Sequence, residues 1–561
     1  MKTSRVVLLL SLTAVPLFIV NQRSSGQDKG GKSVQDRGGA TGTDWPSYGG
    51  TVSAWRYSAL NQINASNVKK LVPIWAFQTG DYQNGLQSTP IVLNGVLYLT
   101  SNRDDVFALD GATGRLIWEY KYQALPGSAT RQNKGVAVSD GKVFVGTSDS
   151  YLVALDQKTG KEIWKVASDD TFSCRCGLQA APLVVKDKVI VGGGGSRGYL
   201  TAFNASTGRI AWRFFSIPGP GEKGNETWPG DSWKTGSAKM WTTGSYDSQL
   251  NLVYWGTGDP SPMIYGGTRE GDNLYSASVV AVDADTGKLR WYFQDVPHDT
   301  WDFDSTWEMV LIDRELRGSM RKLLVHFGKG GYTYVLDRET GEFLNAYPVN
   351  DYIDWIKRIS EKGELVGRRD PVVGKVTSIC PGNLGGKSWN QTAYSPRTGL
   401  IYSPSLEMCQ NITLRPPDPN LPGDRGSATF VFTPPPGLAT AYGHLDALDP
   451  VTGKKQWTYP YRFELFASIL ATAGDLVFTG DPEGYFFALD ARSGKKLWSF
   501  QTGAGHRGGP VTYMADGRQY VATPTGWGGT GAAYSDLLWP EAEMRRLGST
   551  LFVFALPEEW K

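Results

Sequence analysis

Alternating apolar and polar positions along this chain fall into short runs, and each run leads into the same kind of turn. The run from Tyr151 to Leu155 predicts a β-strand. It continues as D-Q-K-T-G-K-E-I-W, where Asp156 can cap a turn and Gly160 can take a positive φ. Trp164 then lies in the next strand, so the unit predicts an antiparallel hairpin.

The same unit recurs along most of the chain. Strict copies, with a Trp ten residues after the first Ala, begin at Ala108, Ala154, Ala202, Ala281, Ala447 and Ala488. Weaker copies that lack the Trp begin at Val335 and Ala393. A small antiparallel sheet cannot bury a face alone, so repetition at this spacing predicts four-stranded sheets stacked radially in an all-β propeller. The terminal strand at 550–555 is expected to pair with early strands, because closure removes exposed edges.

The first residues differ in character from the repeats. Lys2 and Arg5 precede an apolar run over residues 6–20, which is typical of a signal peptide for export, with an uncleaved anchor as the alternative. We expect a signal peptide at 1–27, a disordered linker at 28–44 and a single propeller domain at 45–561. No other run approaches the ~18 apolar residues of a membrane helix, so no stable membrane insertion is expected after cleavage.

Composition narrows the function classes. The 561 residues include 57 Lys and Arg against 55 Asp and Glu, and a formal charge of +2 without a clustered basic stripe argues against nucleic-acid binding. The 20 Trp and 68 Gly suit short strands and tight turns, while helical patterning is scarce, with one short candidate near residues 540–547. The 4 His are not spaced as a metal pair, which disfavours a His-based zinc site.

Several segments outside the repeat carry a family resemblance. Residues 241–262 (W-T-T-G-S-Y-D-S-Q-L-N-L-V-Y-W-G-T-G-D-P-S-P), 299–304 (D-T-W-D-F-D), 328–338 (G-K-G-G-Y-T-Y-V-L-D-R), 380–390 (C-P-G-N-L-G-G-K-S-W-N) and 500–510 (F-Q-T-G-A-G-H-R-G-G-P) resemble the quinoprotein methanol and ethanol dehydrogenases. The resemblance extends over residues 45–555. It implies an eight-bladed propeller, in agreement with six strict and two weak repeats. It also implies oxidation of a small alcohol by pyrroloquinoline quinone (PQQ) in the periplasm, with electrons passed to a soluble cytochrome c.

Alcohol oxidation by a quinone needs a base for the hydroxyl proton and a cation that polarises the quinone carbonyl. The resemblance assigns the base to Asp302. Alternation in an extended segment sends Asp302 and Asp304 to the same side, so both carboxylates can face one ion. With Asp259, which stands where the family has Asn, they form an all-carboxylate set for Ca²⁺ or a lanthanide. The competing interpretation is that Asp302 and Asp304 are ordinary loop carboxylates in a turn.

The resemblance also implies a cofactor site. Trp241 matches the indole under the planar cofactor, and Lys329 matches the cation at the quinone oxygens. Other implied contacts are Lys134 (in place of Arg), Gln87 (in place of Glu), Gln179 (in place of Thr), Asn390 and Lys387. Each has a plainer alternative, a core Trp or a surface polar residue.

Departures from the family support a second hypothesis. Gly193 stands where a metal-binding Glu is usual, Ser128-Ala129 replaces a cysteine pair, and Phe466 replaces a Trp. A propeller that has lost its cofactor and acts as a binding or scaffold module would explain these changes. The resemblance implies a disulfide between Cys380 and Cys409, while Cys174 and Cys176 could form a local disulfide or remain thiols.

Overall fold

A computed structural model describes residues 41–82, 84–128, 132–169, 176–316, 318–421, 423–542 and 548–558. The chain divides into two units, Met1–Lys32 and Ser33–Lys561. The predicted signal peptide and the linker up to residue 40 lie outside the described residues. Thr41, the first described residue, pairs with Ser58, and its N–H donates to the carbonyl of Tyr57.

Strands and one α-helix make up the regular structure of the described residues, apart from short 3-10 turns. The strands are β1 (Tyr57–Ser58), β2 (Val72–Gln78), β3 (Ile91–Leu93), β4 (Val96–Thr100), β5 (Val106–Asp110), β6 (Leu116–Tyr120), β7 (Ala137–Ser139), β8 (Lys142–Gly146), β9 (Tyr151–Asp156), β10 (Glu162–Ala167), β11 (Leu183–Val185), β12 (Lys188–Gly193), β13 (Tyr199–Asn204), β14 (Ile210–Phe215), β15 (Ser245–Asp247), β16 (Leu252–Gly256), β17 (Ser278–Asp283), β18 (Leu289–Gln294), β19 (Met309–Leu316), β20 (Ser319–Phe327), β21 (Tyr332–Asp337), β22 (Phe343–Pro348), β23 (Arg358–Ile359), β24 (Leu365–Val366), β25 (Val376–Ile379), β26 (Ala393–Ser395), β27 (Leu400–Glu407), β28 (Cys409–Arg415), β29 (Ser427–Thr433), β30 (Tyr442–Leu448), β31 (Lys455–Tyr461), β32 (Leu470–Thr472), β33 (Leu476–Gly480), β34 (Tyr485–Asp490), β35 (Lys496–Gln501), β36 (Val511–Ala515), β37 (Arg518–Thr525) and β38 (Thr550–Ala555). The helix is α1 (Gly529–Leu538).

The strands form successive antiparallel sheets. Four-stranded sheets are β3–β6, β7–β10, β11–β14, β15–β18, β19–β22, β26-β27-β30-β31 and β2-β38-β37-β36, and β32–β35 carry β1 as a fifth, parallel strand. Smaller sheets are the β23–β24 hairpin and β25-β28-β29. The all-β, four-stranded antiparallel prediction is therefore confirmed.

Each strict repeat spans the last two strands of one sheet. Trp164 on β10 lies directly opposite Ala154 on β9, and a bulge separates Glu162 from Trp164 on β10. In the turn, Asp156 Oδ1 accepts hydrogen bonds from the backbone N–H of Lys158 at 3.1 Å and of Thr159 at 2.8 Å. The predicted turn chemistry holds, with Gly160 at φ 70°.

The tryptophans join neighbouring sheets. Trp118 of the first repeat packs on Gly160 of the second, and its Nε1–H donates to the carbonyl of Gln157 at 3.0 Å. Trp164 packs in the same way on Gly208 of the third repeat. The indole therefore lies on the turn of the next unit, where it covers the backbone between two sheets.

Substitution of Gly160 by alanine tests this contact. A Cβ on Gly160 would lie 2.5 Å from the Trp118 ring, whereas Gly141 in the same sheet has φ 73° and open space around its Cα. We expect Gly160→Ala to lower the free energy of unfolding by about 2–4 kcal/mol, the sum of left-handed strain and overpacking. Gly141→Ala, with strain alone, should cost about 1–2 kcal/mol. Equal losses in urea unfolding would contradict the docking role.

The structure confirms one of the two weak copies of the repeat and contradicts the other. The copy at Val335 is a true repeat, in which Asp337 caps the turn and Tyr347 packs on Gly453 of a neighbouring sheet in place of the missing Trp. The copy at Ala393 is wrong as a separate repeat. Ala393 lies on β26, in the same sheet as the strict copy at Ala447, because its turn joins the first two strands of that sheet.

One four-stranded sheet combines the two ends of the described chain. β38 pairs with β2 on one side, with Val72 opposite Ala555, and with β37 on the other. The predicted pairing of the terminal strand with an early strand is confirmed. This sheet has no strict repeat, although Trp75 of β2 packs on Gly114 as the repeat tryptophans do on their glycines.

Two disulfide-bonded cysteines and the α-helix lie in segments between or within the sheets. Cys380, after β25, forms a disulfide with Cys409 at the start of β28, as the resemblance implied. Cys176 is disulfide-bonded as well, while Cys174 lies outside the described residues. α1 precedes the region where a helix was predicted, which is only partly described. Within the described residues, no helix combines the length and the apolar character needed to cross a membrane.

Candidate active site

A turn after β18 positions the predicted catalytic carboxylates. Asp299 is buried, and its two carboxylate oxygens accept the backbone N–H groups of Trp301 at 2.9 Å and of Phe303 at 2.8 Å. Asp302 has φ 63°, so the segment is not extended, and the alternation used to place Asp302 and Asp304 on one side is wrong as a reason. The turn brings the two carboxylates together nonetheless.

Lys329, at the end of β20, joins these acids. Its Nζ donates to Asp302 Oδ1 at 2.8 Å and to Asp304 Oδ2 at 3.3 Å. Asp304 Oδ1 also accepts the backbone N–H of Asp259 at 3.0 Å. Ligand atoms of Asp259, Asp302 and Asp304 all lie within 4.8 Å of one another, so the predicted acidic set is gathered at one point.

The Lys329 ammonium does not fully balance the negative charges of these three acids. Burial raises the pKa of Asp302 to about 7, although the Lys329 ammonium opposes the shift. Burial and the charges of Asp304 and Asp302 hold the pKa of Asp259 well above its usual range. The Asp259 carboxylate has no hydrogen bond or ion pair with another described residue. A hard cation with oxygen ligands would relieve this repulsion, so the residues fit such an ion.

A cavity of about 350 Å³ opens beside the acids. Asp302, Lys329, Trp241 and Gln179 line it, as the resemblance implied. Trp241 Nε1–H lies 3.4 Å from Asp304 Oδ1, and its ring meets that of Trp307 edge-on with centroids 5.3 Å apart. The indole is therefore fixed at the boundary between the acids and the cavity.

Lys134 is fully buried beside the same cavity. Its Nζ lies 5.0 Å from the ring centroid of Trp241 and 4.6 Å from that of Trp389, and it has no hydrogen-bond partner in the described structure. Burial, together with the charges of Lys239 and Arg507, lowers the pKa of Lys134 to about 7. An orphaned buried ammonium between two indoles suits a planar anion, because such a ligand offers both a π-face and acceptors.

Gln87 is also buried with unmet polar atoms. Neither its Oε1 nor its Nε2 has a hydrogen-bond partner among the described residues, and it is 1% exposed. These orphaned groups, with the two indoles, fit a flat cofactor that carries carboxylates.

Other implied residues are not brought to the cavity. The side-chain amide of Asn390 donates to the carbonyls of Leu465 at 2.8 Å and of Ala467 at 3.1 Å. Lys387 is fully buried in an ion pair with Glu308 at 3.2 Å. Neither residue lines the cavity, and their contacts are those of structural residues.

Two of the residues that depart from the family pattern, Gly193 and Phe466, lie against aromatic side chains. A Cβ on Gly193 would lie 2.2 Å from the Tyr199 ring, so Tyr199 fills the space of the missing Glu. Phe466 lines the cavity and stacks on Trp527 with centroids 6.1 Å apart. Ser128 lines a different cavity, and Ala129 lies outside the described residues.

Sequence reasoning missed several lining residues, among them Lys239, Trp389 and Arg507. The Lys239 ammonium donates to the carbonyl of Cys176 at 2.7 Å, and burial lowers its pKa to about 8, partly offset by Asp304. Trp389 and Arg507 lie inside segments that carry the resemblance, and Lys239 precedes Trp241 by two residues. The positions of Trp389 and Arg507 in those segments, and not their residue types, could have identified them as lining residues.

Comparisons with known proteins agree with this geometry. The family model described as the β-propeller domain of PQQ-dependent glucose, ethanol and alcohol dehydrogenases matches residues 45–352 and 460–521. The quinoprotein alcohol dehydrogenase PedH of Pseudomonas putida is 36% identical over 546 residues, which cover 91% of this chain and 90% of that protein. The lanthanide-dependent methanol dehydrogenase of Methylorubrum extorquens is 36% identical over 564 residues, covering 90% and 92%.

Solved structures give the same answer. A europium-containing methanol dehydrogenase superposes with a TM-score of 0.86 at 33% identity, covering 92% of this chain and 98% of that one. The quinohemoprotein alcohol dehydrogenase of Comamonas testosteroni gives a TM-score of 0.83 at 35% identity, covering 92% and 80%. The propeller class predicted from the repeats is confirmed by the family match. The chain therefore belongs to the family of PQQ-dependent alcohol and methanol dehydrogenases.

Proposed function

We propose that this protein oxidises a small alcohol to an aldehyde with PQQ and a hard cation bound at the cavity beside Asp302. The observation that carries the proposal is the convergence of Asp259, Asp302 and Asp304 on one point next to an indole-lined cavity. A scaffold without a cofactor would need neither the open cavity nor the unmet polar atoms of the buried Lys134 and Gln87.

Asp302 acts as the general base that accepts the hydroxyl proton of the alcohol. Its pKa, raised to about 7 by burial, lies near neutral pH, where a general base combines availability with proton affinity. The Lys329 ammonium, 2.8 Å from Asp302 Oδ1, orients the carboxylate. Proton transfer therefore requires the alcohol hydroxyl to approach the oxygen that Lys329 leaves free.

Asp259, Asp302 and Asp304 would hold the cation, either Ca²⁺ or a lanthanide, since both prefer oxygen ligands. When bound, PQQ supplies the carbonyl that accepts the hydride, and the cation polarises that carbonyl. Trp241 and Trp389 would contact its plane, and Lys134, Lys329, Gln87 and Gln179 would offer polar contacts. Lys134 keeps a positive charge there without the fork geometry of Arg.

The proposal also covers the number of blades, the location of the protein and its electron acceptor. We expect the sheets to form an eight-bladed ring and the protein to be exported to the periplasm by its N-terminal segment. Reoxidation of the cofactor would use a soluble cytochrome c. The relatives named as quinohemoproteins support a cytochrome partner of this kind.

Titration of the purified chain with PQQ tests the proposal. We expect saturable quenching of tryptophan fluorescence, a bound quinone spectrum and dye-linked alcohol oxidation in the presence of Ca²⁺ or La³⁺. Parallel titrations with each metal would identify the preferred ion. No bound chromophore at saturating PQQ with either metal would refute the enzyme and favour the scaffold hypothesis.

A further inference from the structure

A second group of buried polar side chains gathers at the start of α1, at a part of the cavity wall formed by Arg507 and Gln132. A Cβ built on Gly529 would lie 3.2 Å from Gln132 Nε2, 3.3 Å from Arg507 Nη1 and 3.5 Å from Gln87 Nε2. Three nitrogen donors from separate parts of the chain therefore surround the first residue of the helix.

Two of these side chains, Arg507 and Gln87, have polar atoms without a hydrogen-bond partner among the described residues. Arg507 is 4% exposed and its Nε has no hydrogen-bond partner, and Gln87 has none for either amide atom among the described residues. Arg507 Nη1 donates to the carbonyl of Gly528. Buried donors normally find acceptors, so the cluster is built for an acceptor that the chain does not supply.

The cluster also carries the positive charge of the Arg507 guanidinium. Arg507 forms no ion pair with a described acid, and its neighbour Glu464 has a pKa raised to about 8 by burial. The first N–H groups of α1 add positive potential, because they have no acceptor within the helix. A buried guanidinium with a planar fork of donors matches a carboxylate group.

We propose that Arg507, with Gln87 and Gln132, binds a carboxylate of the cofactor and so orients PQQ in the cavity. This inference rests on the proposed function, since PQQ is a tricarboxylate that would occupy the cavity. The acids around Asp302 would then repel the carboxylates from one part of the cavity while Arg507 attracts them to another. The charge distribution of the cavity would thereby select one orientation of the flat ring.

Titration of two protein variants with two ligands, in all four combinations, tests the inference. The native chain and Arg507→Gln are titrated with PQQ and with PQQ esterified at its carboxylates, with Ca²⁺ present, and Kd is read from tryptophan quenching. We expect Arg507→Gln to raise Kd for PQQ by about 10- to 100-fold, the effect of one charge-assisted hydrogen-bonded contact. The same substitution should leave Kd for the ester nearly unchanged, because the ester lacks the charge that Arg507 recognises.

Two further variants separate recognition from folding. Arg507→Lys keeps the charge without the fork and should give an intermediate Kd for PQQ. Arg290→Gln, on β18 with its side chain 59% exposed, should leave Kd unchanged. A native Kd for PQQ in Arg507→Gln, or equal losses for PQQ and ester, would overturn the inference alone. Absence of PQQ binding by the native chain would instead overturn the proposed function as well.

Discussion

Replacement of Asp302 by asparagine is expected to lower kcat by about 10²- to 10⁴-fold, the usual contribution of a general base. Asparagine keeps the shape of the side chain but cannot accept the alcohol proton. The Lys329 ammonium, now without one of its two carboxylate partners, would still contact Asp304 at 3.3 Å. The measurement is dye-linked alcohol oxidation by protein loaded with PQQ and metal.

Binding of PQQ must also be measured for Asp302→Asn, because Asp302 is also a proposed metal ligand. PQQ titration by tryptophan quenching shows whether Asp302→Asn still takes up the cofactor, so that lost turnover can be separated from lost loading. Asp140→Asn, in an exposed turn between β7 and β8, is the matched control and should keep native kcat. Turnover by loaded Asp302→Asn within a few-fold of the native value would remove Asp302 from the role of base.

Replacement of Lys387 by methionine is expected to destabilise the fold by about 3–5 kcal/mol, the cost of leaving one partner of a buried ion pair unmatched. The side chains of Lys387 and Glu308 are both fully buried, and Glu308 Oε1 also accepts the backbone N–H of Thr392 at 2.8 Å. Urea unfolding of the two proteins measures the difference in free energy of unfolding.

The double variant Glu308→Gln with Lys387→Met is the control for charge. It removes both ions, so it should recover part of the lost stability. Lys186→Met breaks an exposed pair with Asp285 and should cost at most about 1 kcal/mol. If Lys387→Met were as mild as Lys186→Met, the buried pair would not hold this region together.

The repeat made most of the fold predictable, because its signals are local. A capping Asp, a Gly with positive φ and a Trp at fixed spacing define a hairpin wherever they occur together. The copy at Ala393 failed because Thr-Gly alone also serves a turn between the first two strands of a sheet. The sheet that contains β2 and β38 was predictable only in outline, since its strands come from distant parts of the chain.

Site residues could be predicted at the positions that the resemblance assigns. They could not be predicted where loops from distant parts of the chain come together. Asp259, Asp302 and Asp304 meet as expected, although the backbone that brings Asp302 to Asp304 is a turn and not a strand. Asn390 and Lys387 bear the residue types of a polar site, yet each is occupied by internal contacts. Arg507 was overlooked because the side chains it gathers with, Gln87 and Gln132, are remote from it in the sequence.

The pairing of β2 with β38 has a consequence for how the protein reaches its native state. Residues near 75 and residues near 553 must find each other, which is a contact of very large sequence separation and therefore slow to form. Until the last strand is available, β2 and β37 both expose unpaired backbone groups, the kind of edge that recruits other chains. Folding of the polypeptide thus includes an aggregation-prone interval that ends only when β38 pairs with β2 and β37.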